Sequence, residues 1–228
     1  MRASPFPAPR PLIVGIGGTM RSGSGTERVL RAALAATERS GAQTLLLAGR
    51  DLDLPMYAPQ SGERTDAARA LVDRIGRADG LIVASPAYHG GVSGLVKNAL
   101  DYVEDLRDAK RPYLDGRAVG CIACAGGWQA AVATLTGLRL ITHALRGWPT
   151  PLGVALNSSE AVFGPDGALV DAAALGQLEI LADQVVSFAR HHADGPANRH
   201  NDRLPHARNL RPTAGTHPSR PLSAKEPT

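Results

Sequence analysis

Between Gly15 and Thr26 the chain reads GIGGTMRSGSGT, glycines and hydroxyls gathered around one arginine. Thr19, Ser22, Ser24 and Thr26 offer hydroxyl donors, and Arg21 offers a planar charged fork. An apolar run at residues 12–16 precedes the cluster. Behind it, Val29, Leu30, Ala33 and Leu34 recur at helical spacing. Strand, glycine-rich turn and helix start, in that order, aim free N–H groups and the positive end of a helix dipole at one point. That point suits an anion. Hydroxyls with a single arginine suit a terminal phosphate better than a bridging pyrophosphate. The segment is not a dinucleotide fingerprint, because Met20 stands where the third glycine of Gly15-Ile16-Gly17 would belong and no acidic residue closes the second strand. It is not a nucleotide-binding P-loop either, since no Gly-Lys-Ser/Thr follows.

Two further segments carry the same kind of signal. Ser85-Pro86-Ala87-Tyr88-His89-Gly90-Gly91 combines a proline that fixes the chain with glycines that permit close approach to a flat ligand. Tyr88 can stack on such a ligand or wall it in. His89 has the right chemistry for proton transfer. No acidic residue stands beside it to orient it, so its backbone is assigned the role and no catalytic acid or base is named. Ala125-Gly126-Gly127-Trp128 can bring backbone against the other side of the same ligand, with Trp128 as a pocket wall or a core anchor.

The elements that must position these loops alternate between strand and helix. Strands are expected at residues 12–16, 43–48, 81–84, 119–123 and 153–156. Helices are expected after the first loop, at 65–77, through Leu95–Val103, at 128–145 and at 170–190; residues 49–62 read as a loop. Five continuous apolar strands with intervening helices imply an α/β fold, a doubly wound five-stranded parallel sheet with helices on both faces. All three loops follow strands, so they converge on one sheet edge, where such folds bind ligands.

Composition bounds the rest. Residues 11–192 suffice for one such domain. Residues 1–10 are proline-rich and read as loose. Residues 193–228, with Pro196, Pro205, Pro212, Pro218 and Pro221 and almost no large apolar residues, read as a disordered basic tail. From His191 onward six Lys/Arg face three Asp/Glu, so +3 of the total +4 lies there and the remainder is near neutral. No nucleic-acid partner is expected from so plain a tail, and the five histidines from His191 onward are too scattered for a metal site. No run of about 18 apolar residues suggests a membrane span, and residues 1–11 lack the apolar core of a signal peptide, so a cytoplasmic protein is expected. Cys121 and Cys124 are spaced C-x-x-C on an expected strand. Residues three apart there face opposite ways, with Cα atoms roughly 10 Å apart, beyond the reach of about 7 Å that a disulfide allows. Both are expected to be packing residues.

A phosphate cradle and a flat-ring clamp at one sheet edge fit flavin mononucleotide. GGTMRSGS-x-T, SPAYHGGVSGLVKNALDY and AGGW resemble the NADPH-dependent FMN reductases, over residues 12–190. The second motif is the more specific one, continuing through Lys97-Asn98 and Asp101. Thr19 stands where the family usually has serine, and Cys124-Ala125 where relatives often have serines. The resemblance implies a flavodoxin-like fold. It implies FMN as cofactor, with Thr19, Arg21, Ser24, Gly25 and Thr26 at the phosphate. Pro86, Ala87, Tyr88, His89 and Gly90 would edge the isoalloxazine, and Gly126, Gly127 and Trp128 would flank the ring or ribityl chain. Lys97 and Asn98 are read as helix-start residues bonding to neighbouring backbone or a subunit. The implied activity passes hydride from NADPH or NADH through FMN to free flavin or another small-molecule acceptor, in a homodimer or homotetramer. The alternatives are a quinone, azo or metal-ion reductase, a non-enzymatic flavodoxin-type electron carrier, which the near-neutral charge disfavours, and a phosphate-ligand sensor without FMN.

Overall fold

The computed structural model describes residues 10–160 and 162–194; the expectations for residues 1–9 and 195–228 lie outside them. In chain order the elements are β1 (Leu12–Gly17), α1 (Gly25–Arg39), β2 (Gln43–Ala48), α2 (Asp66–Arg77), β3 (Gly80–Tyr88), β4 (Gly91–Val92), α3 (Gly94–Asp101), β5 (Ala118–Ala125), α4 (Trp128–Ala144), β6 (Trp148–Pro149), β7 (Val154–Asn157) and α5 (Ala172–Asp194), with short 3-10 turns at Gly49–Leu52 and Tyr102–Leu106. Strand order is β2-β1-β3-β5, all parallel, with β6 and β7 both alongside β5. The chain leaves β1 toward β2 on one side and returns to β3 on the other. The reversal of order therefore falls between β1 and β3.

The sheet differs from the expected five strands in two places. Its last position is shared by β6 and β7, because Pro149 and Pro151 bring no N–H to the ladder; Thr150 N still bonds to Val119 O at 3.0 Å, and the strand resumes at Val154. The second loop is shorter than expected. β3 runs on to Tyr88 and turns back through His89-Gly90 into antiparallel β4. Both turn residues have positive φ, 53° and 79°, the conformation of a tight two-residue hairpin that glycine supplies readily.

Side chains alternate across the sheet into two cores. Val14, Ile16, Val83, Val119 and Cys121 pack beneath α2, α3 and α4. Ile13, Ile82, Ile122, Cys124 and Val154 pack beneath α1 and α5. The two cysteines thus lie on opposite faces, free and buried, as their spacing on a strand requires. Asn98, buried on α3, takes the N–H of Tyr57 at 2.8 Å and donates to the carbonyls of Leu54 and Pro55, which fastens the long β2–α2 connection to α3. Lys97 pairs with Asp101 one turn along at 2.6 Å. Among the described residues no helix is long and apolar enough to cross a membrane, and no His/Cys/Asp/Glu cluster could hold a metal ion.

Candidate cofactor site

Parallel register sets the carboxyl ends of the strands side by side: Gly17 beside Ala84, Pro86 beside Cys124, and Ala125 beside Asn157. The chain must turn sharply out of β1 there. A Cβ on Gly17 would lie 2.1 Å from the Ala84 carbonyl oxygen, so only glycine fits. The following loop is shaped by Thr19, whose hydroxyl accepts from Arg21 N at 3.1 Å and donates to Arg21 O at 3.3 Å. Ser24 caps α1, its Oγ accepting from Glu27 N at 3.3 Å, which leaves the hydroxyl proton free to donate outward. Glu27 is buried in the first turn and accepts from Gly23 N at 3.0 Å. Arg31 neutralises it with two bonds of 2.9 and 2.7 Å. Ser24-x-x-Glu27 has the spacing of a capping box, but Glu27 reaches past Ser24 N, which bonds to Arg21 O, to Gly23 N.

The hairpin is pinned at its base by Ser85, buried, whose Oγ accepts from Ser93 N at 3.0 Å and donates to Pro86 O at 2.8 Å. Beyond β5, Ser158 Oγ donates to Ala125 O and Ser159 Oγ to Gly126 O. The connection after β7 thereby holds the third loop.

These loops enclose one cavity of about 760 Å³. Of the thirteen expected site residues, Thr19, Arg21, Ser24, Gly25, Thr26, Pro86, Ala87, Tyr88 and Gly126 line it. His89, Gly90, Gly127 and Trp128 are not among its walls. His89 and Gly90 form the hairpin turn, Gly127 precedes α4, and Trp128 is 50% exposed with its indole N–H donating to Glu160 at 2.7 Å. Arg28, Val29, Cys124, Ala125, Leu156, Ser158, Val162 and Phe163 complete the lining. The β7 connection among them follows a strand on the same edge as the other loops, so its Asn157-Ser158-Ser159 cluster was a readable signal. Phe163 had none.

Among the described residues two arginines and no carboxylate line the cavity, Arg28 engaged with Gly167 O and the Phe163 ring. The Arg21 guanidinium is exposed and makes no hydrogen bond or ion pair among the described residues. Cys124 contributes a neutral thiol. Burial pushes it up to about 11, against a smaller opposing effect of a hydrogen bond with Thr26. A thiol so placed is no nucleophile at neutral pH. Among the described residues the cavity wall offers hydroxyls, backbone and one free cation, and no pair of side chains arranged for acid–base work.

The chain is 32% identical over 139 residues to an FMN-dependent NADPH-azoreductase of Staphylococcus aureus (strain USA300), covering 60% of this chain and 70% of that one. Among solved structures it is similar to an NADH:FMN oxidoreductase at TM-score 0.63 and 26% identity, covering 83% of this chain and 94% of that one. It shares the fold of a flavoenzyme NAD(P)H:(acceptor) oxidoreductase from Paracoccus denitrificans, at TM-score 0.67 and 19% identity, over 80% of this chain and 98% of that one. The model of the NADPH-dependent FMN reductases matches residues 11–161, the span that carries β1 through β7 and all three loops, and the chain belongs to that family.

Proposed function

We propose that this protein seats FMN across the β1, β3 and β5 loops and works as an NAD(P)H-dependent oxidoreductase on a small acceptor. One observation carries the reading: a single cavity joins a capped helix N-terminus with a free arginine to the backbone of the Pro86–Tyr88 strand end and Gly126. The residues fit the cofactor. The α1 N-terminus, Ser24, Thr26 and Arg21 would hold its phosphate, and the Pro86-Ala87 backbone and Gly126 would border its ring. When bound, FMN supplies the ring that takes hydride from a nicotinamide and hands it on. The chain's own part is to bind, orient and exclude water. Thr19 shapes the phosphate loop, Ser85 fixes the hairpin, and Tyr88, 57% exposed, stands at the mouth where a nicotinamide or acceptor would enter. No proton-transferring side chain is assigned; His89 serves the turn through its backbone.

The acceptor proposed is free flavin or an azo or quinone compound. The azo case is supported by the staphylococcal relative's described activity. We also propose a homodimer or homotetramer formed through α3 and α4, where Val132 and Leu140 are 53% and 64% exposed. A cytoplasmic location is proposed too, consistent with two unpaired cysteines. The test is anaerobic titration of the FMN-loaded protein with NADPH and NADH, followed by addition of each acceptor. Bleaching of the flavin spectrum and its return on acceptor addition are expected. A protein that neither binds FMN nor oxidises NAD(P)H in its presence refutes the reading.

A further inference from the structure

After β7 the chain crosses back over the start of α1 as a small hairpin spanning residues 162–170, beyond the family-matched residues 11–161. Phe163 pairs with Leu169, Val170 N bonds to Val162 O at 3.0 Å, and Gly164 N to Ala168 O at 2.8 Å. The hairpin is tied to α1 at two points. Arg28 Nη1 donates to Gly167 O at 3.4 Å, and its guanidinium lies 5.7 Å from the centre of the Phe163 ring. The fit is tight: a Cβ on Gly167, where φ is +79°, would stand 2.5 Å from Arg28 Nη1. The ring itself lies on the first residue of α1. A Cβ on Gly25 would be 3.3 Å from Phe163 Cε2, and both residues line the cavity.

We infer that Phe163, held by Arg28, is the stop at the phosphate end of the cavity and selects a flavin ending in a phosphomonoester over one extended by an adenylate. The inference rests on the FMN reading. The anion-binding end is the α1 N-terminus, where Ser24 and Thr26 stand on either side of Gly25. FMN terminates there. FAD would carry a second phosphate and an adenosine past that point, toward the Phe163 ring, which leaves no room for a Cβ on Gly25 without pressing on it. The selection is steric: Val29, Val162 and Phe163 are apolar, and the one charge beside them, Arg28, is engaged with Gly167 O and the Phe163 ring. The glycine at position 25 acquires a reason as well, since any side chain there would press on the ring.

The experiment is fluorescence titration of the apoprotein with FMN, FAD and riboflavin, for the native chain, Phe163→Ala and Phe163→Leu. Far-UV circular dichroism and thermal unfolding follow each variant. The native chain is expected to prefer FMN over FAD. Phe163→Ala is expected to shrink that preference about tenfold or more, FAD gaining relative to FMN, with Phe163→Leu intermediate. An unchanged preference in both variants overturns the inference, as does a parallel loss of FMN and FAD, which would make the ring purely structural. A native chain that binds FAD as tightly as FMN overturns it too while leaving the FMN reading intact. A native chain that binds neither flavin refutes the FMN reading itself.

Discussion

Replacing Arg21 by alanine tests the phosphate end most directly, because the structure separates its two possible roles. The side chain is exposed and makes no bond to other described residues. Its loss should therefore change folding stability by no more than about 0.5 kcal/mol. Toward a bound phosphate it would act as a charge-assisted fork, worth about 1.5–3 kcal/mol where partly desolvated. Exposure to solvent and salt favours the lower end of that range. A loss of about 1.5–2 kcal/mol corresponds to FMN binding weakened roughly 10- to 30-fold. Riboflavin lacks the phosphate, so its affinity should hold, and the ratio of the two dissociation constants isolates the contact from any change in ring binding. The assay is flavin fluorescence quenching at two salt concentrations, with higher salt costing the native chain more FMN affinity than the variant. The reasoning fails if riboflavin weakens in step with FMN, or if FMN affinity does not move.

Three further outcomes follow from named contacts. Ser24→Ala removes the cap on Glu27 N and should cost about 1 kcal/mol of stability together with FMN affinity; Ser24→Asp should restore the cap yet bind FMN worse still, by repelling its phosphate, as thermal unfolding and FMN titration would read out. Asn98→Ala removes the acceptor of Tyr57 N and a donor to Leu54 O, while Pro55 O keeps Tyr102 OH at 2.9 Å, so urea unfolding should register a loss of about 1–2 kcal/mol while FMN affinity stays put. Burial holds the Cys121 and Cys124 thiols protonated up to about 11. In the unfolded chain they ionise near their ordinary value, about 8.5. Above that value the unfolded state therefore releases protons first, and stability present at neutral pH declines as pH climbs toward 11. Cys124→Ala should soften that decline by on the order of 1 kcal/mol relative to the native chain at matched pH, and an identical slope in unfolding experiments would contradict the assignment.

Most of the frame could be read along the chain. The apolar runs that became β1, β2 and β5 and the periodic stretches that became α1, α2, α4 and α5 are local patterns, and their boundaries moved by only a few residues. The split of the last strand was missed, since the short pair Trp148–Pro149 carries no apolar run of its own and shows only where it meets β5. The hairpin at His89-Gly90 was harder. A proline–glycine-rich string reads as loop whether or not its ends pair, and pairing depends on Ser85 and Ser93 meeting across the turn. Trp128 illustrates the same limit: an indole near a glycine loop suggests wall or core, whereas its partner, Glu160, comes from beyond β7.

The sequence by itself determined the alternation of strand and helix, the glycine-rich turns at one sheet edge, the helix start fit for a phosphate and the separation of Cys121 from Cys124. Each depends on residues within a few positions of one another, where backbone geometry leaves few choices. Only the tertiary structure decided which of those residues share a wall, and it added residues that no local pattern marks. Arg28 meets Gly167 across 139 positions of sequence, and Phe163 comes to rest on Gly25. Such contacts arise because two distant segments must bury apolar surface over the same helix end. The energy that selects them is a property of the packed pair and is written in neither segment alone.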